Sequence, residues 1–342
     1  MLLKKLTEVI GVSGGEQEIR SIIMKEISEK VDHIYIDKIG NIIAHKKGNK
    51  SPNKKVMVCA HMDEVGLIVS NIDSSGLIRF KSVGGIDPRI LLSKVVVIGD
   101  NLVKGVIGSK AFHLQEEEEK TKSLKIKDLY IDIGTSTKEE TEKQINLGDY
   151  IGFNTKYEEM GNSLIKAKAL DDRVGCAILI KMLDKDYDFS LYTVFTVQEE
   201  IGLRGAKVAA FNVNPDIALV VEGTTCSDVP GTVPSQYATR LGKGPAVSIM
   251  DSASYSDKEI ATSLYRLGID NNIPVQWKKT TFGGNDSGAI HLTREGIRTG
   301  ALSIPCRYIH SPVSVMNKND YLNCIRLVEL FLENIEEKEF YE

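Results

Sequence analysis

Strand-like and helix-like segments alternate along most of this chain, but the alternation stops near residue 66 and resumes only near residue 160. Between those points lie six β-type runs, 67–72, 77–81, 94–98, 102–107, 129–133 and 149–153, separated by turn signals such as Asp73-Ser74-Ser75-Gly76 and Gly99-Asp100-Asn101. Helical periodicity is nearly absent there, so the stretch reads as a small barrel or sandwich. Its acidic patch, 116–119, reads as a solvated loop.

The flanking segments follow a different rule. Leu2, Leu3, Leu6, Val9 and Ile10 share one helical face, and Ile19, Ile22, Ile23, Ile27 and Val31 share another after the Gly14-Gly15 break. Residues 33–36 and 41–44 read as a hairpin turning near Gly40, and 56–60 as a buried strand. Beyond 160 the strands expected are 192–197, 217–221, 246–249, 275–277 and 300–304, and the helices 173–183, 256–267, 287–295 and 318–335. Such alternation implies an α/β fold: an open mixed sheet with helices on both faces. The simplest architecture is a discontinuous α/β domain, 1–65 plus 160–342, interrupted by an all-β, barrel-like domain at 66–159.

Composition narrows the function classes. With 43 Lys+Arg against 47 Asp+Glu over 342 residues the chain lacks the basic surplus that phosphate neutralisation requires, so no nucleic-acid partner is expected. No window approaches the roughly 18 apolar residues of a membrane span. The five cysteines are odd in number, widely spaced and never in a C-x-x-C pair, which fits reduced thiols. The first 20 residues have neither the apolar core nor the cleavage site of a signal peptide, so a cytoplasmic location is expected.

In open α/β sheets ligands bind beyond the carboxyl ends of the strands. The run 56–60 ends on His61-Met62-Asp63, 192–197 on Gln198-Glu199-Glu200, and 217–221 on Glu222. The run 300–304 leads through Arg307-Tyr308 to His310, and 166–170 leads into Asp171-Asp172 at a helix start. Imidazole plus carboxylate is a donor set for zinc, cobalt or manganese rather than for an all-oxygen calcium or magnesium site. Two ions sharing one bridging Asp need five side chains, and His61, Asp171, Glu200, Glu222 and His310 supply them. Taken singly, each has a plainer reading. Asp171 and Asp172 can be helix caps, a His after a strand can be a hydrogen-bonded rim residue, and Glu199-Glu200 can be surface charge.

The local strings carry a resemblance. Ala60-His61-Met62-Asp63-Glu64-Val65-Gly66, Ala169-Leu170-Asp171-Asp172-Arg173-Val174-Gly175, residues 198–206 and Arg307-Tyr308-Ile309-His310-Ser311-Pro312 resemble, in order, the dinuclear metallo-aminopeptidases that include glutamyl aminopeptidase and the tetrahedral aminopeptidases, some of them labelled endoglucanase. The resemblance spans essentially the whole chain. It implies that His61, Asp171 and Glu222 hold one divalent ion, zinc or cobalt, and that Asp171, Glu200 and His310 hold a second. It further implies that Asp63 orients His61, that Glu199 is the general base, and that the Asp171–Asp172 peptide is cis. Short peptides would be the substrates, and dimers built through the β insert would assemble into a tetrahedral dodecamer. Two departures stand out. Many relatives carry Asp where this chain has Glu222, and residues 283–288 differ from the Gly-Gly-Thr-Asp form; a glycine turn before a helix also accounts for that segment.

Two rival readings remain at this stage. Glu199 and Glu222 could serve a glycoside hydrolase as acid and nucleophile, although two histidines at the same rim are better explained by metal. A non-catalytic metal-binding scaffold is the other, but structural zinc sites are usually closed and cysteine-rich. In the insert, His113 is the sole catalytic candidate and reads most simply as a polar loop residue.

Overall fold

The computed structural model describes residues 1–337. Two helices open it, α1 (Leu2–Glu8) and α2 (Gln17–Ile27), whose buried Leu3 and Leu6 and buried Ile19, Ile23 and Ile27 recur at helical spacing. Strands β1 (His33–Ile36), β2 (Ile42–Lys46) and β3 (Ser51–His61) follow. Along β3, Val56, Val58 and Ala60 enter one core while Met57 and Cys59 enter another. A strand covered on both faces must be apolar at every position, which is why this segment reads as a continuous run rather than an alternation.

The next six strands are β4 (Gly66–Ile72), β5 (Ile78–Val83), β6 (Val95–Ile98), β7 (Val103–Ser109), β8 (Leu129–Asp132) and β9 (Tyr150–Phe153). They close a barrel in the order β4-β5-β8-β7-β6-β9, and every pairing in it is antiparallel. Leu67, Val69, Ile78, Ile107, Ile131, Ile151 and Phe153 are among the side chains that fill it. The segment is not purely β, because two five-residue helices interrupt it, α3 (Glu117–Thr121) and α4 (Lys138–Glu142). Most of the expected acidic loop therefore lies in α3. Glutamates favour a helix N-terminus, and Lys120 and Lys122 pair with Glu117 and Glu118 at 2.6 and 3.1 Å. His113 is exposed in a short 3-10 turn.

The remaining chain supplies β10 (Glu158–Met160), β11 (Leu164–Ala167), α5 (Leu170–Met182), β12 (Phe189–Thr196), α6 (Arg204–Val213), β13 (Ile217–Thr225) and β14 (Ala246–Val247), then α7 (Lys258–Asp270), β15 (Gln276–Trp277), α8 (Ser287–Ile290), β16 (Arg298–Arg307), β17 (Ser314–Asn317) and α9 (Lys318–Glu337). The outcome is an 11-stranded mixed sheet of order β1-β2-β12-β3-β13-β16-β17-β11-β10, with β14 on β16 and β15 on β14. Its centre, β12, β3, β13 and β16, is parallel. Helices cover both faces, as expected. The larger core takes residues from α1, α2, α5, α7 and α9, while the smaller one takes Ala206, Ala209, Ala210 and Val213 of α6 and Ile290 of α8.

Register sets the level of the strand ends. Thr196 pairs with His61, and Val220 pairs with Cys59. Glu222 therefore comes level with His61, and Glu199 and Glu200 follow just beyond Thr196.

Candidate metal centre

Asp171 and Asp172 divide two tasks between them. Asp172 is fully buried; its Oδ1 accepts the Gly175 backbone N–H at 2.9 Å, and its Oδ2 accepts the His61 N–H at 3.2 Å. It caps α5 and pins that helix to the end of β3. Asp171 does not cap. Its φ of −85° and ψ of 106° are non-helical, the peptide joining it to Asp172 is cis, and its side chain lines the pocket. The sequence left capping open for both residues; it falls to Asp172 alone.

Asp171 lies between the two histidines. Its Oδ1 is 3.4 Å from His61 Nε2, and its Oδ2 is 3.7 Å from His310 Nε2. His310 Nε2 is also 3.3 Å from Glu200 Oε2. Donor atoms of Asp171, Glu200 and His310 lie within 4.8 Å of one another, as do those of His61, Glu199 and Glu200. Glu222 falls in neither group. Its Oε1 accepts from Ser303 Oγ at 3.1 Å and sits 3.8 Å from Lys278 Nζ, although it lines the same pocket as His61, Asp171 and Glu199.

Asp63 organises the rim from below. Fully buried, it accepts from Ser13 Oγ at 2.6 Å and from the backbone N–H groups of Glu199 and Glu200 at 3.0 and 3.2 Å. Its Oδ1 also stands 3.6 Å from His61 Nδ1. The Asp63 backbone carbonyl, 3.1 Å from His61 Nδ1, holds the ring, while its carboxylate anchors the neighbouring loop and faces the imidazole. Three turns that aim the site residues contain non-glycine positions with positive φ: Ala169 at 50°, Gln198 at 57°, and Tyr308 and His310 at 62° and 56°. Such conformations persist where surrounding structure enforces them, and they concentrate at functional sites.

The electrostatics describe a nest of carboxylates short of positive charge. Burial, reinforced by Asp286, Glu200 and Asp63, raises Glu199 well above the usual carboxylate range. Burial pushes Glu200 up to about 7, and Glu222 to about 8 with Asp171 adding repulsion. Burial opposes charge on His61, but Glu199, Asp171 and Asp63 outweigh it and hold the ring well above its ordinary value. Burial likewise works against ionised Asp171, yet the two imidazoles keep it well below the usual range. Divalent cations relieve this imbalance, and the oxygen and nitrogen donors present suit zinc or cobalt. The residues fit such ions.

Residues without an assigned role in the sequence also support the rim. Lys168 Nζ lies 2.6 Å from Glu64 Oε1, and Arg173 Nη2 lies 3.4 Å from the same atom, with all three side chains buried. Asp286, in the segment read as a glycine turn before a helix, does precede α8; it is itself buried and accepts from Thr196 Oγ1 at 2.5 Å. The available signal was a charged residue inside an apolar run, as at Lys168. The pocket itself is a cavity of about 630 Å³, bordered by Thr224, Thr225, Ser235, Thr280 and Phe282.

A mixed α/β sheet whose parallel strands deliver imidazoles and carboxylates to one pocket defines a candidate metal centre at the carboxyl ends of the strands. The chain belongs to the M42 glutamyl aminopeptidase family, whose profile matches residues 40–327. It is 44% identical over 331 residues to a protein of Acetivibrio thermocellus, with 96% of each chain covered. The lysyl aminopeptidase of Pyrococcus furiosus is 32% identical, covering 99% of this chain and 98% of that one. Three solved structures superpose along nearly the full length. Aminopeptidase APDkam598 of Desulfurococcus kamchatkensis is 38% identical, with TM-score 0.93 and coverage of 98% and 94%. A Thermotoga maritima protein named endoglucanase is 38% identical, with TM-score 0.82 and coverage of 98% of each chain. The TET1 peptidase of Pyrococcus horikoshii, which can assemble into a tetrahedron or a large octahedral shell, is 32% identical, with TM-score 0.86 and coverage of 96% and 98%.

Proposed function

We propose that this protein is a dinuclear metallo-aminopeptidase that removes the N-terminal residue of short peptides. The observation that carries the reading is Asp171, whose two carboxylate oxygens face the buried His61 and the more exposed His310, one each, in a carboxylate-rich rim. His61, Asp171 and Glu222 would hold one ion, and Asp171, Glu200 and His310 the other. Bound zinc or cobalt supplies Lewis acidity there, polarising a peptide carbonyl and acidifying water.

The chain's own groups do the rest. Asp63 holds His61 and the Glu199–Glu200 backbone in place. Glu199, with its proton affinity raised by burial, takes a proton from the attacking water and delivers it to the leaving amine. The pocket, lined largely by hydroxyls on its far side, receives the N-terminal side chain.

One observation favours a variant of this reading. Glu199 lies within 4.8 Å of His61 and Glu200 while Glu222 stands apart, which would make Glu199 a ligand. Glu199→Gln separates the two: as the base, the variant keeps both ions and loses about 10²–10⁴-fold in turnover of aminoacyl-nitroanilides. Loss of an ion from the variant would assign Glu199 to coordination, and substantial turnover would refute its role as base. The endoglucanase name of the Thermotoga maritima protein sets the contrary expectation of metal-independent cellulose hydrolysis, measured with the same preparation.

A homo-oligomer of the tetrahedral, dodecameric kind is proposed from the likeness to the TET1 peptidase structures, and the β4–β9 segment, 66–159, as its dimer contact from the family resemblance; a monomer in sedimentation would contradict it. A cytoplasmic setting is supported by five cysteines that are all free and buried. No helix among the described residues is long and apolar enough to cross a membrane.

A further inference from the structure

We propose that Lys278 is a resident counter-ion that competes with metal for Glu222, making the His61–Asp171–Glu222 position the weaker of the two ion sites. The inference rests on the two-ion reading above and concerns what this chain adds to it.

Lys278 directly follows the edge strand β15, and its backbone N–H donates to Val247 O at 2.9 Å. Trp277, stacked on Tyr265 with ring centroids 4.4 Å apart, anchors the preceding residue. The Lys278 side chain therefore has little freedom. It runs into the pocket with 4% of its surface exposed and ends 3.8 Å from Glu222 Oε1, in a carboxylate side chain only 8% exposed. Ser303 Oγ donates to the same oxygen at 3.1 Å, so hydroxyl and ammonium both address one side of the carboxylate. Glu222 is correspondingly absent from the two clusters of converging donor atoms. Lys279 next door is exposed.

The physical consequence follows from charge and burial. In a poorly solvated site an ammonium beside a carboxylate satisfies part of its demand for positive charge and repels an incoming dication. Among the described residues no lysine pairs with Asp171 or Glu200, whose nearest cationic partners are His61 and His310, so the Asp171–Glu200–His310 position escapes this competition. Lys278 acts through Glu222, so it is a positioning residue rather than a catalytic one.

The test is calorimetric titration of chelator-stripped protein with Co²⁺, with bound cobalt counted by elemental analysis. Wild type is expected to take up two ions in steps of unequal affinity, and Glu222→Gln to abolish the weaker step. Lys278→Met should tighten the weaker step by about tenfold or more and leave the stronger within about twofold. Lys278→Arg keeps the charge and the ion pair, and should leave both steps unchanged, which separates the effect from damage to the fold. A weaker step that is unchanged or further weakened in Lys278→Met, with two ions still bound, overturns the role of Lys278 while the two-ion reading stands. Uptake of fewer than two ions by wild type overturns that reading, and this inference with it.

Discussion

At the scale of single residues, the site depends on side chains that satisfy several partners at once. Asp63 is the clearest case, accepting from Ser13 and from two backbone N–H groups while facing His61. Ionisation is what permits this, because a carboxylate offers acceptors on both oxygens and an amide does not. Burial works against the charge, but the His61 ring and Ser13 hold Asp63 below its ordinary value. In Asp63→Asn one amide nitrogen meets a backbone N–H or the Ser13 hydroxyl, so the Glu199–Glu200 loop loses its anchor. Metal affinity is expected to fall about 10–100-fold, as is usual when a partner of a ligand is removed. Unchanged affinity in a metal titration would show that His61 and the loop hold their positions without it. Ligand candidates at strand ends were legible because an apolar run stops abruptly on a charged residue, as at His61, Glu199 and Glu222. Asp171 was named among them as the shared ligand, but which of Asp171 and Asp172 caps the helix was not legible, because neighbouring aspartates have the same chemistry and only the backbone angles distinguish them.

At the scale of elements, a buried ionic cluster fastens α1 to the start of α5. Arg173 Nη1 donates to Leu6 O at 2.5 Å, and Lys168 Nζ donates to Val9 O at 2.6 Å. Glu64, three residues past the end of the β3 strand that delivers His61, bonds to Lys168 and accepts the Gly11 N–H at 2.9 Å. Arg173→Met keeps the volume but leaves the Leu6 carbonyl short of a donor and removes one of the two cations beside Glu64, which Lys168 and the Gly11 N–H still serve. A hydrogen bond to a charged group is worth about 1.5–3 kcal/mol, so urea unfolding should show a loss of that order; a loss below about 0.5 kcal/mol would show that Arg173 is dispensable. Elements with large apolar side chains were readable from sequence, and each of the six β-type runs of 66–160 corresponds to a barrel strand. Helix α6 was not among the expected elements. Its buried stripe is Gly205, Ala206, Ala209, Ala210 and Val213, residues too small to mark a hydrophobic face strongly. The antiparallel strands β10, at the edge of the sheet, and β17, between β16 and β11, escaped for another reason: at three and four residues, little of their pattern is visible outside the pairing.

At the scale of the whole molecule, the carboxylates gathered at the rim tie stability to pH and to metal. Glu222 titrates near 8 in the folded chain against an ordinary 4.5, chiefly because it is buried. Between those values the folded state holds a proton that the unfolded chain has released, so stability falls as pH rises through the window. Glu200, raised to about 7 by burial, acts in the same direction. His310 does too: burial opposes its charge, but Asp171 and Glu200 raise it from 6.5 to about 9, and its stabilisation, complete below 6.5, is lost towards 9. Two groups act in the opposite direction. His45 is lowered by burial and by His33, and Lys168, lowered to about 8 by burial, adds stability with rising pH above that value. The carboxylates at the rim outnumber His45, so the thermal midpoint of chelator-stripped protein should fall from pH 5 to pH 8. Zinc or cobalt takes the place of those protons as the carboxylates ionise, and metal affinity grows over the same range. With either ion present in excess, the midpoint should therefore be higher and its decline smaller or reversed. Scanning calorimetry of stripped and reloaded protein at both ends of the range provides the comparison. A stripped protein whose midpoint holds or rises towards pH 8, or a decline that reloading leaves untouched, would mean that the rim carboxylates are compensated within the chain and do not need ions to balance them.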